Sequence, residues 1–119
     1  MNAQELKSNL TQFTGTETWW RHPLNRKVLF TDGVMYFADN AGGGAYWFLD
    51  IVATEVAPLS KPFLVVDLVA STNTTAVISA REDSGEPSVW ERKIEFTDCP
   101  AGTWKFYVCD GVLILPSEY

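Results

Sequence analysis

The sequence predicts an α+β domain: two or three N-terminal helices packed on a five-stranded antiparallel meander sheet. Three observations carry this. Apolar residues recur at helical spacing through the first half of the chain. After Pro62 they come in short runs rich in Val, Ile, Phe and Tyr, divided by turn-forming residues. The 119 residues, 46% of them hydrophobic, suffice for one core and leave no room for two ordinary domains. The expected division is a mainly helical part, 1–60, and a sheet, 61–119, within a single domain.

Asn2 is placed to cap a first helix in which Leu6, Leu10 and Phe13 share one face, and Gly15 breaks it. Thr14 to Glu17 has the pattern of a capping box, but Trp19, Trp20 and Pro23 follow, so 18–22 reads as extended or irregular. Residues 27–31 read as a short strand. Thr31 or Asp32 then caps a second helix through Val34, Phe37, Ala38 and Ala41, which Gly42-Gly43-Gly44 ends. A third helix over 45–57 is apolar nearly all round, which predicts heavy burial; Pro58 and Pro62 bracket its exit.

Five strands are expected at 63–69, 75–80, 89–97, 103–109 and 112–115. A turn at 98–102 would face Phe96 with Trp104, Glu95 with Lys105 and Ile94 with Phe106, matching apolar with apolar and acid with base. That register sets Glu91 opposite Cys109, so a disulfide between Cys99 and Cys109 is not expected. Asp110-Gly111 is a two-residue hairpin signal that pairs Val108 with Leu113 and Phe106 with Leu115 on the core face. Tyr107, Cys109, Val112 and Ile114 then share the opposite face. It too is apolar and needs a cover, either a helix or another copy of the protein. Pro116 would end the last strand and leave Ser117-Glu118-Tyr119 over the sheet edge.

The net charge of −6 and the pI near 4.6 argue against a domain that grips nucleic acid through phosphates. The densest acidic stretch, Glu82 to Glu86, has turn composition and reads as a solvated loop, with mimicry of DNA as the lesser reading. No basic leader precedes an apolar run, and no run approaches the roughly 20 apolar residues of a membrane span. A soluble cytoplasmic protein without membrane contact is expected. One His and two separated Cys make no metal pattern, and the triple glycine lacks the strand and lysine of a phosphate loop. No metal or cofactor is expected. His22 with a cysteine or serine is too unspecific to assign as a nucleophile pair.

The residues that stand out are Trp19, Trp20, Arg21 and His22 with Tyr46, Trp47 and Asp50. Asp50 is the lone carboxylate of the apolar stretch 45–54, so a buried pair with Arg21 or His22 is expected. An aromatic-walled ligand pocket is one reading; a loop pinned by an ion pair is the favoured one. Tyr107, Val112, Ile114, Glu118 and Tyr119 are candidates for partner binding.

Gln4-Glu5-Leu6, Phe13 to Glu17, Arg21-His22, Thr31 to Val34, Ala45-Tyr46-Trp47 with Asp50, Glu95 to Asp98 and the closing Leu115-Pro116-Ser117-Glu118-Tyr119 together resemble a family of small bacterial, plasmid and phage proteins of unknown function. The resemblance spans nearly the whole chain and brings no catalytic residues. It implies an accessory or host-interaction setting. The expected function is a non-enzymatic interaction module with a protein partner or a second copy of itself. The alternative is a small-ligand-binding domain or minor enzyme around the Trp/Arg/His/Asp group.

Overall fold

A computed structural model describes residues 1–15 and 18–119, so the capping-box pattern of Thr14 to Glu17 lies partly outside the described residues. Helix α1, Ala3–Leu10, starts where the Asn2 side chain accepts the Glu5 N–H. Strands β1, Trp20–Arg21, and β2, Leu29–Phe30, follow. Helix α2, Asp32–Asn40, is capped by the Thr31 hydroxyl, which accepts the Val34 N–H. Helix α3, Tyr46–Ile51, widens into a π-helix over Val52–Val56 and tightens to a 3-10 turn at Ala57–Leu59.

The π register leaves one carbonyl without a donor inside the helix. In the π register the Val52 carbonyl accepts the Ala57 N–H. The next acceptor, Ala53, would face Pro58, which has no N–H to give. The Asn25 side-chain amide donates to the Ala53 carbonyl at 2.9 Å instead. The segment between β1 and β2 is thereby tied to the back of the third helix.

The sheet differs from the expected five-stranded meander. It has seven strands: β3 Phe63–Ala70, β4 Ala76–Arg81, β5 Trp90–Ile94, β6 Gly102–Cys109 and β7 Val112–Ile114 join β1 and β2. Their order is β1-β2-β7-β6-β3-β4-β5, and the β2–β7 pairing is parallel, so the sheet is mixed. Strands β3 to β6 form a Greek key, with β6 returning to lie beside β3. The expected hairpin between 89–97 and 103–109 is absent. Glu91 faces Ser79, Lys105 faces Asp67, and Phe96 is 75% exposed beyond the end of β5. The Asp110-Gly111 hairpin does form, with Val108 opposite Leu113. Asp110 and Gly111 both adopt positive φ, the backbone such a turn needs.

Residues 95–101 act as an anchor and not as a tight turn. The Asp98 carboxylate accepts the Gly43 N–H at 2.7 Å. A Cβ on Gly42, whose φ is +60°, would stand 2.4 Å from that carboxylate. The crossing from β5 to β6 is thus held against the link between α2 and α3.

One face of the sheet carries Leu64, Val66, Leu68, Ile78, Trp104, Phe106, Val108 and Leu113, and the helices pack there. Phe37 of α2 meets Phe106 at 5.0 Å, and Phe48 of α3 meets the same ring at 4.8 Å. Each fully buried ring of this kind contributes about 1.5–3 kcal/mol.

Candidate functional site

The structure brings His22 and Asp50 together, but not in a buried pocket. His22 is 1% exposed, whereas the Asp50 side chain is 55% exposed, which corrects the expectation of a buried carboxylate. His22 Nδ1 accepts the backbone N–H groups of Leu24 and Asn25, so Nε2 carries the proton and donates to Asp50 at 2.7 Å. Both ring nitrogens serve the path of the chain between β1 and β2. The His22 ring also meets Phe30 edge-on at 5.7 Å.

The other members of this group are dispersed. Trp19, Trp20 and Tyr46 are each about half exposed. Trp20 donates its indole N–H to Asp32 at the start of α2, while the Tyr46 hydroxyl donates to Asp39 in that helix's last turn. Arg21 donates to the Arg26 carbonyl. Trp47 packs edge-on against Phe48. Among the described residues, no hydrogen bond, ion pair or ring contact joins Trp19, Trp20 or Arg21 to Tyr46, Trp47 or Asp50.

The second group of candidates lies on the sheet face that the helices leave bare. Alternation places Leu29, Phe63, Val65, Asp67, Val69, Lys105, Tyr107, Cys109, Val112 and Ile114 there. Tyr107, Val112 and Ile114 are half-buried, and Val65 beside Tyr107 is 1% exposed. Past Pro116 the chain forms a 3-10 turn, Pro116–Glu118, and folds back over this surface. Tyr119 then stands 5.3 Å from Tyr107 and 5.6 Å from Phe63, and those two rings are 5.1 Å apart. Three aromatic rings thus meet on the bare face, and Tyr119 remains 72% exposed.

Glu118 points the other way. Its carboxylate accepts the Thr31 hydroxyl at 2.6 Å, the Leu115 N–H at 3.1 Å and the Gly33 N–H at 3.2 Å. An anion at the start of α2 is favoured by the helix dipole and its free N–H groups. Glu118 is therefore a clasp between the closing segment and α2, and its oxygens are already engaged.

Sequence reasoning missed the centre of the bare face. Asp67 is 8% exposed, with Arg81 Nη2 at 3.5 Å and Lys105 Nζ at 3.9 Å. Asp67 Oδ1 and Arg81 Nε are buried and make no hydrogen bond. The signal was present: Asp67 is the lone charge in Phe63–Ala70, as Asp50 is over residues 45–54. The same argument applies to both, and only at Asp67 is the carboxylate buried. The strand-borne charges of this face are Arg21, Arg81, Lys93 and Lys105 against Asp67 and Glu91. Four positive less two negative leaves an excess of two positive charges on a chain of net charge −6.

Both cysteines are free thiols. Cys99 is buried, and desolvation, followed by the Asp98 charge, pushes its thiol up to about 11. Cys109 is half-buried on the bare face. Among the described residues, no three His, Cys, Asp or Glu side chains gather as metal ligands, and no helix is long and apolar enough to cross a membrane.

The fold and surface define a small α+β protein with helices on one side of a mixed sheet and an aromatic, locally basic surface on the other. The chain belongs to the Family of unknown function (DUF6876), which matches residues 4–119. No curated protein and no solved structure matches it significantly.

Proposed function

We propose that this protein is a non-enzymatic interaction module that docks a partner protein on the bare face of its sheet. The observation that carries this reading is the Phe63–Tyr107–Tyr119 ring cluster beside Asp67, Arg81 and Lys105 on a face without a helix. Large rings that remain accessible beside arginine are the residue types that dominate protein interfaces. The excess positive charge favours a partner with an acidic rim and opposes face-to-face pairing of two copies. The resemblance to plasmid and phage proteins puts a host or defence protein first among such partners. The ligand-pocket reading stands second, because His22 has committed both ring nitrogens within the chain.

The test is capture from a host lysate with three baits: the parent chain, Tyr119→Ala and Lys105→Glu. Tyr119 and Lys105 are accessible, so both variants should fold. A captured protein must bind the parent in a salt-sensitive way and be lost with both variants. Equal capture by all three baits would overturn the reading. So would a stable homodimer by light scattering that Tyr119→Ala dissociates, because the face would then be occupied by a second copy.

A further inference from the structure

We propose a second binding site, beside the bare face and sharing Lys105 with it: the free edge of β6 at Thr103–Lys105 accepts a short, extended, acidic peptide by strand addition. The Asp110 N–H donates to the Pro62 carbonyl. Even-numbered residues of β6 therefore direct their backbone groups toward β3, and odd-numbered ones toward β7. On that second side β7 ends at Ile114, which faces Tyr107. The next odd residue, Lys105, would require residue 116. That residue is Pro116, which has no N–H and turns the chain into the closing 3-10 turn. The edge N–H and C=O groups of Lys105 and Thr103 are left without a strand partner among the described residues.

What lies beside this edge is a groove of about 310 Å³ lined by Lys7, Leu10, Trp104, Lys105, Leu115 and Pro116, among others. An unpaired edge beside apolar pockets is the arrangement that binds peptides by strand addition: the main chain supplies the hydrogen bonds and alternate side chains fill the pockets. The charge selects the chemistry. The lining holds no acidic residue and two lysines, Lys7 and Lys105, the second with its Nζ 3.9 Å from Asp67, on a chain with fifteen acids and nine bases. Lys7 is held in place, its Nζ 5.1 Å over the Trp104 ring. An extended segment carrying Asp or Glu between apolar residues matches both features. The outer strand β5 is the contrast. Its edge carries Glu91, Arg92 and Lys93, the charges that keep a sheet edge from pairing.

The test is a titration of the full ¹⁵N-labelled chain with a capped pentapeptide alternating valine with aspartate. Saturable amide shifts are expected at Lys7, Thr103, Lys105 and Ser117, with slowed hydrogen exchange at the Thr103 and Lys105 N–H groups. Lys7→Glu, an exposed change, should weaken binding by about tenfold. Strand addition uses one edge of the peptide. N-methylation of alternate residues should therefore abolish binding in one phase and spare it in the other. The proposal is overturned by any of four results: no saturable shift at millimolar peptide, shifts centred on Tyr107 and Ile114, equal binding of a peptide with lysine in place of aspartate, or equal effects of the two methylation phases.

Discussion

Glu118 holds Gly33. The carboxylate accepts the Gly33 N–H at 3.2 Å, and a Cβ on Gly33 would stand 2.8 Å from Glu118 Oε1 and 2.4 Å from Leu115 Cδ1. Two motifs far apart in sequence, Thr31 to Val34 and Leu115 to Tyr119, thus form a single contact. Replacing Gly by Ala inside a helix ordinarily stabilises by up to about 1 kcal/mol. Here the sign should reverse. Gly33→Ala is expected to destabilise by roughly 1–3 kcal/mol through overpacking, and Glu118→Ala by about 1–3 kcal/mol through loss of a charged acceptor. Urea unfolding of the two single variants and the double variant would show non-additivity if they share one contact. A Gly33→Ala protein as stable as the parent would refute the clasp.

His22 and Asp50 should behave unequally. His22 is buried with three hydrogen bonds, so His22→Ala should cost about 3 kcal/mol or more. Asp50 is an exposed partner, and Asp50→Ala should cost about 1 kcal/mol or less. Thermal melts of the two variants check this. A large loss from Asp50→Ala and a small one from His22→Ala would reverse the roles assigned here.

The two thiols should also separate. Half-buried Cys109 is expected to react with a thiol reagent in the folded protein, and Cys99 only on unfolding, giving two thiols per unfolded chain. The folded Cys99 keeps its proton where the unfolded chain gives its own up. Its contribution to stability therefore falls as pH rises from about 9 toward 11. Cys99→Ala should flatten that part of the stability profile. An unchanged slope would refute the assignment.

Local signals in the sequence were reliable where the chain contacts itself nearby. The Asn2 and Thr31 caps and the Asp110-Gly111 hairpin follow from residues within a few positions of one another, whereas the third helix, expected to be heavily buried, leaves Tyr46, Asp50 and Thr54 exposed. Strand β6 was legible as a strand but not its neighbour. Its alternation matches β3 as well as it matches 89–97, and periodicity alone does not choose between two partners with the same pattern. What decides is distant. Asp98 is drawn to the glycines at 42–43, so 95–101 does not close as a hairpin. The parallel β2–β7 pair has no local signature, since a parallel partner always lies across a long connection. At the site, the aromatic residues of the closing segment were recognised, whereas the role of Glu118 depends on Thr31 and Gly33, which only the fold places beside it.

The last prediction concerns truncation. Strand β7 lies between β2 and β6, so it is interior to the sheet. Deleting residues 112–119 would remove buried Leu113 and Leu115, unpair both neighbours and detach β1 and β2 from the rest. The buried side chains alone are worth about 1.5–3 kcal/mol each, against a total of roughly 5–15 kcal/mol for an ordinary domain. An insoluble or molten product is expected. From sequence alone, deleting only 117–119 would be mild, because such a tail reads as loose. The structure raises that expectation. The short deletion removes Glu118, and with it the acceptor for Thr31, Gly33 and Leu115. It should give a folded protein with a clearly lowered melting temperature. Restoring Ser117 and Glu118 but not Tyr119 should recover most of the stability, since Tyr119 is 72% exposed. Partner capture should stay lost in that chain, because the ring cluster remains incomplete. If the short deletion melts like the parent, Glu118 is not a clasp; if the chain ending at Glu118 stays destabilised, Tyr119 supports the fold and not the surface.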